Sequence, residues 1–326
     1  MNKNTIIGFI LMAAVLFGYS WYVQPSEEEI AAQRKQDSIE NALRQKAEIA
    51  QKNELKAKKE RAAAAAKGDT TALFYQALNG KNEQLTLKNS KLQLTVSTHG
   101  GYVSGAKIMG FKDIKGDNNL TLFSGNEQKL NFMLAGKQDN IVTADLFFTP
   151  SNHTDSTLTL TAEAANGGQL VLNYRLGKNY LVNLQVLAKG LDGFFAPNYR
   201  QVDIEWEGLC RQQEKGFTFE NRYATLTYKE KNDDSDYINE TEKVTDEPME
   251  FAIDWLAFKD QFFSSVLIPK GDIAPNSQLS SIPQEKGSGY LKQYIAKFKT
   301  DFDPTGAVPT EMEMYFGPND FQVLKA

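Results

Sequence analysis

The chain has 326 residues, with 36 Lys and Arg against 41 Asp and Glu, for a formal net charge of −5. This acidic balance, without basic residues interleaved among aromatics, argues against nucleic acid as a partner. The single cysteine, Cys210, excludes an internal disulfide, which is compatible with an exported protein without demonstrating export.

In chain order the first element is the uncharged run IIGFILMAAVLFGYSWYV at residues 6–23. As a helix it would reach roughly 27 Å, close to the roughly 30 Å of a bilayer's hydrocarbon core. Tyr19, Trp21 and Tyr22 crowd its end, where amphipathic rings favour the membrane interface, and Pro25 opposes continuation of the helix. A cleaved secretory signal opens similarly, with a short basic start ahead of an apolar stretch. The length of this run, and aromatics where a small-x-small cleavage site belongs, favour an uncleaved anchor over residues 1–24. Both readings export the remainder of the chain. Charge alone leaves the orientation open, because Lys3 precedes the helix while Arg34 and Lys35 come closely after it.

Residues 25–69 change character. Ser26-Glu27-Glu28-Glu29 fits a capping box, and the segment is then rich in Ala, Glu, Gln, Lys and Arg, all strong helix formers. Its sparse apolar residues keep no heptad, so the expectation is a charged, partly helical, solvated stalk rather than a coiled coil.

From residue 70 to 326 the chain reads as one unit, large enough to bury a substantial core. Its apolar period is two. Leu85 and Leu87, then Leu92, Leu94 and Val96, alternate with polar neighbours, as do Leu170, Leu172, Tyr174 and Leu176, then Tyr180, Val182, Leu184 and Val186. Glycine-rich turns separate these runs at 99–101, 166–168, 177–179 and 189–193. The expected class is mainly β, a large antiparallel β-sandwich of two extensive layers.

No catalytic constellation emerges. His99 and His153 are the only histidines, and neither belongs to a metal-ligand spacing such as HExxH. The nucleophile elbow GxSxG, the Walker A loop and the GxGxxG fingerprint are missing. Asp203, Glu205 and Glu207 share a strand face, a spacing that could serve glycoside chemistry, although a solvated face accounts for it more simply. Asp233-Asp234-Ser235-Asp236 lacks the glycine and distal glutamate of a calcium loop. The aromatics Phe194, Phe195, Phe217 and Phe219, and the run from Trp255 to Phe263, read mostly as core, with an apolar ligand groove as the rival. On a single strand, Trp255, Gln261 and Phe263 would share one face and Phe258 the other, so a bend or bulge is expected between them.

Several segments, in order, resemble the N-terminal part of the bacterial YidC membrane protein insertase family. They are Asn4-Thr5-Ile6-Ile7-Gly8, Pro25-Ser26-Glu27-Glu28, Ser97-Thr98-His99-Gly100-Gly101, Trp255-Leu256-Ala257-Phe258 with Gln261-Phe262-Phe263, and Tyr315-Phe316-Gly317-Pro318. The resemblance implies a single N-in anchor in the inner membrane carrying a periplasmic β-supersandwich, galactose-mutarotase-like in fold but without that chemistry. It implies no catalytic, cofactor or metal residues, and structural roles for Gly100, Gly101, Trp255, Phe258, Gln261, Phe263, Gly317 and Pro318. The implied partners are the lipid bilayer, nascent inner-membrane proteins, and the Sec translocon with its accessory subunits. The family's insertion groove lies among later helices. The fold alone leaves a second expectation, a membrane-tethered carbohydrate-active or carbohydrate-binding sandwich.

Overall fold

The computed structural model describes residues 73–137, 140–238 and 244–319. Every described residue belongs to one compact unit. The expected anchor and stalk lie outside the described residues.

Alternating runs become strands wherever one face can be buried. A four-stranded sheet keeps chain order: β1 (Gln84–Lys88), β2 (Leu92–Ser97), β3 (Val103–Met109) and β4 (Asn119–Phe123). A six-stranded sheet comprises β5 (Gln128–Ala135), β6 (Asn140–Val142), β11 (Gln201–Arg211), β14 (Thr245–Met249), β17 (Ser277–Pro283) and β18 (Tyr290–Asp301), in the order β14-β17-β18-β11-β5-β6. The nine-stranded sheet comprises β7 (Thr149–Ser151), β8 (Thr157–Glu163), β9 (Gln169–Leu176), β10 (Leu181–Lys189), β12 (Thr225–Glu230), β13 (Ser235–Tyr237), β15 (Ile253–Lys259), β16 (Phe263–Pro269) and β19 (Thr310–Pro318). Its order is β13-β12-β15-β16-β19-β10-β9-β8-β7. One short helix, α1 (Phe217–Tyr223), links β11 to β12.

The nine- and six-stranded sheets meet face to face. Trp206 on β11 stacks on Phe258 of β15, with centroids 3.7 Å apart, and Tyr294 of β18 lies 5.2 Å from the same ring. Ser265 on β16 donates a hydrogen bond across the core to Gln128 on β5 (3.1 Å). The expected two layers therefore hold for these sheets, but β1–β4 form a separate third sheet. None of its strands pairs with the six-stranded ladder, in which β11 pairs with β18 and β5, and β5 with β11 and β6. Instead β3 packs against β5 and β4 against β11, and Phe123 of β4 meets Phe316 of β19 edge-on at 5.4 Å.

The β2–β3 turn requires its glycines. Gly100 and Gly101 have φ of +84° and +70°, and a Cβ on Gly101 would fall 2.3 Å from Leu172 Cδ1. Tyr174 pins the turn by donating its hydroxyl to the Gly101 carbonyl (2.6 Å), and burial raises its pKa.

Candidate functional site

Strands β15 and β16 are consecutive, and the sequence between them, Asp260-Gln261-Phe262, makes the turn. A full turn between two strands thus stands where a bend or bulge within one strand was expected. Asp260 closes it: one carboxylate oxygen accepts hydrogen bonds from the backbone N–H groups of Phe262 (2.7 Å) and Phe263 (2.6 Å). Antiparallel pairing of β16 with β19 then sets Phe263 against Pro318 and Ser264 against Gly317. Asn319, next along the chain, locks to the turn. Its N–H donates to the Phe262 carbonyl (2.6 Å), its side-chain amide to the Asp260 carbonyl (3.2 Å), and its side-chain oxygen accepts from the Ser264 hydroxyl.

Five of the eight resemblance positions, Phe258, Gln261, Phe263, Gly317 and Pro318, thus gather at the β15–β16–β19 end. Phe263 is buried and meets Phe111 edge-on at 5.3 Å. Gly317 lies where a Cβ would come within 2.8 Å of the Tyr180 and Tyr315 rings, and the Pro318 carbonyl accepts from the Tyr315 hydroxyl (2.6 Å). Gly100 and Gly101 belong to the β2–β3 turn. Trp255, toward the other end of β15, pairs with Lys229 and is only half-buried, which corrects the expectation that it is core. Its neighbours Leu256, Ala257 and Phe258 are all buried, so the pleat does not alternate cleanly there.

Sequence reasoning missed the buried carboxyls. Asp260 is 5% exposed and Glu220, on α1, is 1% exposed. Glu220 accepts from the backbone N–H groups of Gln213 (2.8 Å) and Glu214 (3.0 Å), tying α1 to the segment just after β11. Burial raises both pKa values, and the nearby Glu220 and Glu214 charges raise that of Asp260 further, to about 7. The available signal was one acidic residue between Phe258 and the Phe262-Phe263 pair.

Beside this end, Arg211 forms a fork with Glu127, its Nε donating to Oε2 (2.7 Å) and an Nη to Oε1 (2.8 Å), while Tyr290 donates its hydroxyl to Oε1 (2.7 Å). Burial pushes Glu127 up, but these hydrogen bonds and the Arg211 charge prevail and hold its pKa below the usual value. A cleft of about 290 Å³ opens here, with Asp113, Lys115, Arg211 and Tyr290 among its walls. Another, of about 330 Å³, lies between Gly80 and Phe147.

The remaining candidates are dispersed. Asp203 and Glu205 lie along the outer side of β11 and pair with Lys299 (3.3 Å) and Lys297 (3.4 Å), the solvated face expected. His99 stacks on Phe147 at 4.2 Å, and His153 Nε2 donates to the Thr86 carbonyl (3.0 Å). Ser104 and Lys107, a nucleophile–lysine spacing that the sequence analysis did not single out, face opposite ways on β3, one buried and one exposed. Asp233 and Asp234 lie in the β12–β13 turn, while Ser235 and Asp236 begin β13 and pair with Lys229 and Tyr228. Among the described residues no three of His, Cys, Asp or Glu converge as a metal-ligand set. Phe219 and Phe262, read from sequence as core, are exposed.

These features define an antiparallel β-sandwich domain whose best-organised polar groups bind its own backbone. The YidC periplasmic domain family matches residues 84–326, and the chain belongs to that family. It is 43% identical to the membrane protein insertase YidC of Phocaeicola vulgatus, over 99% of this chain and 52% of that protein. Identity is 39% to the YidC insertase of Bacteroides fragilis (100% and 52% covered) and 35% to that of Parabacteroides distasonis (100% and 53%). The chain therefore spans about half the length of these relatives. Among solved structures, a galactose mutarotase-like protein from Lactobacillus casei aligns with a TM-score of 0.44 at 12% identity, over 73% of this chain and 100% of that one.

Proposed function

We propose that this chain is the anchor and periplasmic domain of a membrane protein insertase, an accessory part that aids insertion and folding of inner-membrane proteins, alone or beside the Sec translocon. The observation that carries the reading is the 43% identity to a named insertase along 99% of the chain. Residues 1–24 anchor it N-in, residues 25–69 form the stalk, and residues 70–326 make up the periplasmic domain. In this reading the domain is a scaffold and not an enzyme: one oxygen of Asp260 and both oxygens of Glu220 accept backbone N–H groups, and Arg211 is engaged by Glu127. Gly100, Gly101, Phe258, Phe263, Gly317 and Pro318 serve packing and turn geometry.

Protease added to spheroplasts tests the placement. The domain should be digested, leaving a membrane-embedded N-terminal stub. Full protection of the domain would reverse the orientation, and release of the intact domain without protease would show that residues 1–24 are cleaved.

A further inference from the structure

A crevice of about 20 Å³ lies where the three sheets meet. Phe123 of β4 bounds it from the four-stranded sheet, Gln128 of β5 and Tyr294 of β18 bound it from the six-stranded sheet, and Phe258, Asp260 and Ser265 come from the β15–β16 hairpin. Three of these walls are deeply buried polar side chains: Gln128 is 6% exposed, Asp260 5% and Ser265 4%. Their hydrogen bonding is incomplete. Gln128 spends its side-chain oxygen on the Ser265 hydroxyl, and among the described residues nothing accepts from its amide nitrogen. Asp260 spends one oxygen on both turn N–H groups, those of Phe262 and Phe263, and its other oxygen has no partner among the described residues. Neither free atom is sealed from solvent. A residue so deeply buried keeps a free atom accessible only by opening onto a space within the fold, and the crevice is the space that both residues line.

We propose that this crevice is a binding site for one ordered water molecule, which accepts from the Gln128 amide and hydrogen-bonds the second carboxyl oxygen of Asp260. The water ties the six-stranded sheet to the β15–β16 turn of the nine-stranded sheet, beside β4. Size and charge select it. The crevice exceeds the roughly 10–15 Å³ that one water needs, and it is too small for an organic ligand. A cation would meet the Gln128 donor and the neighbouring Arg211, and an anion would meet the Asp260 carboxyl, so a neutral molecule that both donates and accepts fits these walls. The Ser265 oxygen, which accepts nothing among the described residues, offers the water a third partner. Water also serves either state of Asp260, whose pKa burial raises to about 7: it accepts from the protonated acid and donates to the carboxylate.

The full chain, crystallised from detergent at a resolution that shows ordered solvent, tests this in the wild type and in Gln128→Met, which keeps the side-chain length and removes the donor. The wild type should show a single density peak within roughly 3.2 Å of both Gln128 Nε2 and the second Asp260 oxygen, and Gln128→Met should lose it. A wild-type crevice without that peak, or the same peak persisting in Gln128→Met, overturns the proposal. So does a Gln128 amide turned to bond Asp260 directly. In solution, a nuclear Overhauser effect from water to the Gln128 side-chain amide of the isotope-labelled wild-type chain reads the same contact without any variant. It should be stronger than that at exposed Gln278, whose amide donates to Asp246, because a water held inside the fold stays longer than one at the surface. A signal at Gln128 no stronger than that at Gln278 overturns the site.

Discussion

Phe258 and Gly208 offer the sharpest test of how the two large sheets are held together. Gly208 sits on β11 two residues after Trp206, and a Cβ built there would lie 2.7 and 3.1 Å from two atoms of the Phe258 ring. The ring therefore occupies the space that any other residue at 208 would need. Gly208→Ala alone should overpack the core and cost about 1–3 kcal/mol. Phe258→Ala alone removes a buried ring stacked on Trp206 and should cost about 3–5 kcal/mol. In the Phe258→Ala background the clash is gone, so Gly208→Ala should become neutral or slightly stabilising, since alanine loses less backbone entropy than glycine. The coupling should therefore be about 1–3 kcal/mol, with the double variant more stable than the sum of the singles implies. Equilibrium denaturation of the four proteins, monitored by tryptophan fluorescence, measures the cycle. Equal costs for Gly208→Ala in both backgrounds would refute the inter-sheet contact.

Other perturbations test the polar groups and the turn. Asp260 has its pKa raised from 3.8 to about 7, so its contribution to stability is full below pH 3.8 and is lost as pH rises through 7, up to about 4 kcal/mol. Asp260→Asn, which keeps the acceptor oxygen, should flatten that dependence between pH 4 and 8 in urea titrations; an unchanged slope would contradict the assignment. Glu127 has the opposite sign, because its depressed pKa adds stability above its unfolded value of 4.5 that is lost as pH falls through the folded value. Arg211→Ala should cost about 1.5–3 kcal/mol at neutral pH and less in acid, measured by the same titrations. Gly101→Ala must hold a positive φ and meet Leu172, so a loss of at least about 1–3 kcal/mol is expected, read as a lowered denaturation midpoint.

The strands were legible because burial of one sheet face writes itself into the sequence: Leu92, Leu94 and Val96 are all buried while Gln93 and Thr95 are only partly covered. The glycine turns were legible for an equally local reason, shown by Gly100, Gly101 and Gly167, whose positive φ few other residues tolerate. Non-local pairing was not. Nothing local to β19 specifies that it lies between β16 and β10, or that β1–β4 stand apart as their own sheet. The buried Asp260, Glu220 and Lys292 were invisible because charged residues are usually exposed, and only tertiary contacts reveal which ones are enclosed. Aromatics misled in both directions for the same reason: Phe258 is core, Trp255 is half-covered, and Phe262 stands in solvent within one short run. The polar end around β15 and β16 was thus half-readable, its aromatic and glycine frame by family resemblance and its carboxyl anchors only from the fold.

The insertase assignment itself is most directly tested in cells depleted of their own insertase. A fusion of this chain to the half of the Phocaeicola vulgatus insertase that it does not cover should restore growth and membrane insertion of a dependent inner-membrane protein. Residues 1–326 alone, expressed to the same level in the membrane, should restore neither. Failure of the fusion to rescue where the intact relative does, or rescue by residues 1–326 alone, would contradict the account.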